Sequence, residues 1–225
     1  VGCYWGDDSA AKLWTASLQR IANPPESSGG LVYLLKLRRY PALLLLYSAG
    51  LAAVAAGNYA NLAAVLTKPK APDEYRKNAA ICSVVYPFAV MDKNIGHLLP
   101  GLDRHHTPVS DHLFDKLREP LREFLPRDDD YQEVFDRFEY LLGLVHADLN
   151  RLPVENGWWG PVGCFAWRGR HFCQEGRTSQ IIDAEIEAEG AGGPLLKAGL
   201  FDSSLEQLKT AKAKFDGFLD AIRFF

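Results

Sequence analysis

Residues 128–151 read DDDYQEVFDRFEYLLGLVHADLNR, and this stretch decides the fold class. Apolar side chains fall at Tyr131, Val134, Phe135, Phe138, Leu141, Leu142, Val145 and Leu149. That i, i+3, i+4, i+7 spacing turns one face of a helix towards a core. Asp128, Asp129 and Asp130 place negative charge at the end where the helix dipole is positive. The pattern predicts a helix over Asp128–Arg151 with Leu141 on its buried face.

The same reading extends in both directions. Downstream, Ser203-x-x-Glu206 has the form of a capping box. It opens a last helix whose buried face is Leu205, Leu208, Ala211, Phe215, Phe218, Leu219 and Ile222. Upstream, Ser110 suits an N-cap for Asp111–Leu125, with Pro120 expected to kink or divide that helix. Asp7–Ile21 carries Leu13, Trp14, Ala16, Leu18 and Ile21 at helical spacing. The turn-rich run Asn23–Gly30 then breaks the chain. Leu31–Tyr47 is a long apolar segment, with Pro41 a break or a first-turn residue. Leu43–Ala56 and Tyr59–Leu66, separated by Gly57-Asn58, have the small residues of a helical hairpin. No second copy at a fixed period supports a repeat array. Lys68–Pro72 reads as loop, Asp73–Met91 as helix interrupted at Pro87, and His97–Ser110 as loop.

The most apolar stretch, Pro41–Ala56, spans about 16 residues, short of the roughly 20 that cross a bilayer. We therefore expect a buried core helix and no membrane association. The chain has 225 residues, 48% hydrophobic and 24% charged, which excludes a disordered tail or a small disulfide scaffold. We expect one domain over 1–225, with possible lobes 1–126 and 127–225. The net charge of −3 gives no basic field for nucleic acid or an anionic membrane. The first five residues lack the shape of a signal peptide, and the start at Val1 suggests a piece of a longer protein. Four cysteines, Cys3, Cys82, Cys164 and Cys173, include no C-x-x-C pair and fit a reducing cytoplasm.

One region departs from helical grammar. Asn156–Phe172 holds Trp158, Trp159, Phe165, Trp167 and Phe172 among glycines, which reads as strand and turn. A two-residue turn at Arg168-Gly169 predicts a β-hairpin near residues 161–173. In that register Cys164 faces Cys173, close enough to be oxidised to a bridge in vitro. Cys164, His171 and Cys173 would share one face, as packed thiols or, less expectedly, a zinc site. Arg168, Arg170, His171 and Arg177, interleaved with aromatics, could hold nucleic acid or form a protein-binding hot spot. Candidate partner-binding residues are therefore Trp158, Trp159, Arg168, Arg170 and His171. The alternation Asp183, Glu185, Glu187, Glu189 favours a strand, while its Ala and Glu content favours a helix.

No phosphate-binding, dinucleotide, zinc-protease or nucleophile-elbow motif occurs. Asp103, His105, His106, Asp111, His112 and Asp115 are the densest group of metal-ligand types, but their spacing matches no metal signature, and a polar loop before a helix explains them. We name no catalytic, cofactor or metal residue and expect no cofactor.

The segment Leu37–Tyr47, LRRYPALLLLY, with Ala55-Ala56-Gly57-Asn58-Tyr59, resembles helical regions of multidomain bacterial proteins. Those proteins carry sirtuin-like, TIR or NTPase effector domains and are linked to phage defence. Leu195–Phe201, LLKAGLF, before an amphipathic helix is similar to their C-terminal ends. The resemblance covers about a third of the chain and includes no effector active-site motif. It implies an accessory or sensing module in antiviral defence.

The expectation is a mainly α fold with a small β-hairpin. Its function is that of a non-catalytic regulatory or partner-recognition module of a larger cytoplasmic protein. The alternatives are an enzyme with an unrecognised active site and a nucleic-acid-binding module using residues 167–177, for which only weak binding is expected.

Overall fold

A computed structural model describes residues 2–25, 29–73, 76–150, 160–171 and 177–222. The helix α9, Asp128–Leu149, is its axis. Tyr131, Phe135, Phe138, Leu141, Leu142 and Val145 of the predicted face are buried, Val134 and Leu149 partly so, and every residue from Phe138 to Ala147 is buried. The reason is that α9 is covered on several sides. Helix α4, Tyr40–Ala55, packs along it, and so does α13, Leu205–Ala221. Two glycines allow these approaches. A Cβ at Gly50 would lie 2.0 Å from the ring of Phe138, and one at Gly143 would lie 2.1 Å from Phe215. Gly143 costs α9 about 1 kcal/mol in helix propensity, offset by the ring seated against it.

Helix α4 is apolar all round and buried from Ala49 to Val54. Pro41 sits in its first turn, as expected of a ring that lacks an N–H. Gly57 turns the chain at φ +63, and the Asn58 side chain caps α5, Tyr59–Thr67, by accepting from the Asn61 N–H. The predicted helical hairpin is therefore formed. No helix among the described residues is long and apolar enough to cross a membrane.

A short helix α1, Gly2–Trp5, precedes α2, Asp8–Ala22, which packs through Ala11, Leu18 and Ala22 with Trp14 beside them. Leu13 and Ile21, expected on the buried face, point out instead, with Leu13 72% exposed. Helix α3, Val32–Leu37, follows and buries no residue fully. Arg38 donates to the Pro25 carbonyl, and Arg39 donates to those of Ala22 and Pro72. These bonds tie the end of α3 to the end of α2.

Several local expectations shift. Helix α8, Pro108–Arg118, starts at a first-turn proline with Thr107 at the N-cap position. Ser110 is therefore inside the helix rather than capping it, and the helix ends before Pro120, as expected. Asp73–Met91 is not mainly helix. Lys70–Ala71 pairs antiparallel with Ala79–Ala80 as β1 and β2, the one sheet among the described residues. A 3-10 turn over Ile81–Ser83 and two short helices, α6 (Pro87–Val90) and α7 (Lys93–Gly96), complete the segment. The cap of α13 is Ser204, one residue later than predicted, accepting from the Gln207 N–H at 3.3 Å. The displacement follows from a left-handed turn, in which Phe201, Asp202 and Ser203 have φ of 56, 50 and 57. Each costs on the order of 1 kcal/mol, and the buried Phe201 ring anchors the turn.

The fold is mainly α with a small antiparallel pair, as the sequence predicts, but the pair lies at residues 70–80. Phe165–His171 is helix α10. The Arg168 and Trp167 amides donate to the Cys164 carbonyl at 3.1 and 3.3 Å, which rules out a hairpin turn at Arg168-Gly169. The acidic run is also helical, in α11, Arg177–Glu189, and is followed by α12, Pro194–Lys197. Lys212, in α13, reaches Ser179 and Asp183 of α11 at 2.9 Å and Asp216 at 2.5 Å. Tyr140 of α9 donates to that same Asp216 at 2.7 Å. Arg137 forks onto Glu185 at 2.8 and 2.6 Å. These bonds hold α11 and α13 to α9.

Candidate functional site

Two groups of side chains stand out: a buried polar hub at the centre of the molecule and an exposed apolar run at its N-terminal side.

The hub is built around Glu139, 2% exposed in the middle of α9. Its Oε1 accepts from the Tyr47 hydroxyl of α4 at 2.9 Å and from the Ser110 hydroxyl of α8 at 2.7 Å. Ser110 in turn accepts from the Cys164 N–H at 2.9 Å. The Cys164 Sγ lies 3.7 Å from Glu139 Oε2. Gly163 passes so close that a Cβ there would sit 1.8 Å from that oxygen. Arg168 of α10 meets Asp136 at 3.0 Å and stacks on the Phe114 ring, 4.1 Å from its centroid. Trp167 donates to Thr107, which donates to Asp111 at 3.2 Å, and His105 meets the same carboxylate.

The geometry explains why α10 is a helix. Asp136 and Glu139 lie one turn apart on α9, and Cys164 and Arg168 lie one turn apart on the facing segment. Only helical spacing brings the second pair onto the first. Burial pushes the Glu139 carboxyl up to about 8, with the nearby Asp136 charge adding to the shift and the hydroxyl donors opposing it. Burial, and next Glu139, also push the Cys164 thiol well above its usual range, so the thiol is held inert. Every polar group of this hub is answered by a neighbour inside the fold, which makes it a joint between α4, α8, α9 and α10.

Of the predicted partner-binding residues, Trp158 and Trp159 lie outside the described residues. Arg168 is turned inward onto Asp136. Arg170 and His171 are on α10, with only their backbone described. Cys173 lies outside the described residues, so the expected thiol pair does too. The turn that set its register is replaced by helix, and the shared face of Cys164, His171 and Cys173 likewise lies outside the described residues. Cys3, Cys82 and Cys164 are free and buried. Of the Asp103–Asp115 group, His105 and Asp111 meet at 3.2 Å, whereas His112 turns to Tyr40 at 2.8 Å and the His105 carbonyl is bonded by His97. Among the described residues no three His, Cys, Asp or Glu side chains converge as metal ligands.

The exposed run is Leu31, Val32, Tyr33 and Leu34, respectively 69, 61, 50 and 59% exposed. Single exposed apolar residues are ordinary, but consecutive ones mark a contact surface. By sequence this run is the start of the long apolar segment Leu31–Tyr47. It directly follows the turn-rich run that ends in Gly29-Gly30.

Comparison of the chain with family models, with curated proteins and with solved structures finds no match.

Proposed function

We propose that this chain is a non-catalytic partner-recognition module of a larger cytoplasmic protein, and that it binds its partner through the apolar run at the start of α3. The observation that carries the reading is the exposure of four successive large apolar side chains at residues 31–34. Leaving them in water forgoes roughly 1.5–3 kcal/mol for each leucine or valine that could be buried. A partner that covers them recovers that energy, and apolar anchors of this kind carry binding at interfaces. The inward-facing Trp167 and Arg168 weaken the nucleic-acid reading, because the indole and the guanidinium are already engaged. The closed hydrogen-bonding of Glu139 favours a structural role for the buried carboxyl over catalysis. The resemblance to accessory regions of defence proteins fits the same role.

A photo-reactive residue placed at position 33, in cells producing the protein, tests this. A discrete adduct is expected that disappears with Leu31→Asp/Leu34→Asp and is absent when the probe sits at the exposed position 123. No discrete adduct at position 33 would overturn the reading.

A further inference from the structure

We propose that residues 163–168 form a lid over the buried Glu139 carboxyl. The lid stays shut on the neutral acid and lifts from α9 when the group releases its proton to solvent, uncovering the Cys164 thiol.

The two oxygens of Glu139 are placed differently. Oε1 accepts from Tyr47 of α4 and from Ser110 of α8, both held in packed helices. Oε2 faces the chain at residues 163 and 164. A Cβ on Gly163 would lie 1.8 Å from it, and the Cys164 Sγ is 3.7 Å away. An ionised carboxylate buried without its own cation is costly unless water reaches it. Backbone at Gly163 fills the space against Oε2, so water takes its place there only when residues 163 and 164 move off.

The surrounding charges act in the same direction. Asp136, one turn before Glu139 on α9, opposes a second negative charge. Arg168, on the lid, is paired with Asp136 at 3.0 Å and acts on Glu139 less than Asp136 does. Tyr47, Tyr131 and Cys164, which also face the site, are pushed up by burial and stay neutral. On α8, Asp111 is turned to His105 and Thr107. Closed over the neutral acid, the lid balances Asp136 with Arg168. Closed over the ionised form, it would set two carboxylates against one guanidinium. Burial raises the closed carboxyl to about 8, so opening is expected to grow from the ordinary carboxyl range up to pH 8.

The lid is attached in a way that lets it move without the core. Its polar ties are the Cys164 N–H to Ser110, Trp167 to Thr107 and Arg168 to Asp136. Water can answer each of these donors once the lid is raised. Phe165 and Trp167 are only partly buried, with Phe165 resting on Tyr140 and Phe215, centroids 5.8 and 6.3 Å away. Helices α4 and α13 pack directly on α9, so the core closes without the lid.

Alkylation of the native protein by iodoacetamide, read thiol by thiol by peptide mass spectrometry, tests this. Rates are scaled to those of the same chain in full denaturant, which removes the ordinary rise of thiolate with pH. Cys82, buried in the turn Ile81–Ser83, reports global opening. Cys164 is expected to react at least about tenfold faster than Cys82, at a rate insensitive to low urea, because a local opening exposes little surface. Between pH 5 and pH 8 its scaled rate should rise by about tenfold per unit. Glu139→Gln should flatten that rise. Gly163→Ala, whose Cβ props the lid off Oε2, should leave Cys164 reactive at every pH with Cys82 still protected.

The wild-type measurement decides without either variant. Cys164 and Cys82 reacting together with one urea dependence, or a scaled Cys164 rate that does not change with pH, would overturn the lid. So would a rise that persists in Glu139→Gln, or a Gly163→Ala protein in which Cys164 stays protected.

Discussion

Leu141→Ala is expected to lower stability by roughly 2–5 kcal/mol. Leu141 is fully buried on α9, the helix that both α4 and α13 pack against. Neighbouring rings are fixed by their own contacts: Phe138 stacks edge-on with Tyr47, centroids 4.9 Å apart, and Phe215 with Tyr140 at 5.3 Å. Rings so held cannot collapse freely into a void, which places the substitution away from the lenient end of its range. For a chain of this size 1 kcal/mol moves Tm by about 2–4 °C. A thermal melt should show a fall of at least about 4 °C, whereas a change under about 2 °C would contradict the burial.

Glu139 should give the second large effect, and it should depend on pH. Its carboxyl titrates near 8 in the fold against an ordinary 4.5, so the folded state binds the proton more tightly than the unfolded state. Stability from this group is then complete below about pH 4.5 and is lost as pH rises towards 8. Across that window the loss is on the order of 3–5 kcal/mol. Glu139→Gln keeps an acceptor for Tyr47 and Ser110 but cannot ionise. Relative to the wild type, its Tm should improve steadily from pH 5 to pH 8. Glu139→Ala leaves both buried hydroxyls without their acceptor and should be destabilised at every pH, by roughly 2–5 kcal/mol. A wild-type-minus-Gln difference that does not vary with pH would remove the raised carboxyl from the account.

The sequence made the long helices legible because their periodicity is set by burial along a single face. It was less informative where burial is set by more than one neighbour. Glu139 lies four residues after Phe135 and three before Leu142, and His146 lies four after Leu142, so both occupy the apolar stripe itself. Polar residues at core positions are a visible signal of a buried polar centre, although their partners come from α4, α8 and the segment before α10, far apart in the chain. His146 is buried against Tyr86, ring centroids 5.2 Å apart, and burial pulls its imidazole down to about 3, so it stays neutral. Phe165–His171 misled for a related reason. Its aromatic residues and glycine match a hairpin locally, but tertiary bonds to Asp136 and Ser110 favour a helix, and context overrides propensity. At the candidate site, Leu31–Leu34 is apolar by sequence, yet only the three-dimensional packing reveals that little covers it.

The central claim is that this run serves recognition and contributes little to the fold, and paired thermal melts of Leu34→Asp and Leu141→Ala test it most directly. The account predicts that Leu34→Asp shifts Tm by no more than about 2 °C, within the roughly ±0.5 kcal/mol typical of surface changes, while Leu141→Ala falls well below the wild type. If Leu34→Asp instead lowers Tm as far as Leu141→Ala does, residue 34 belongs to the core, and the surface assigned to the partner is not there to be bound.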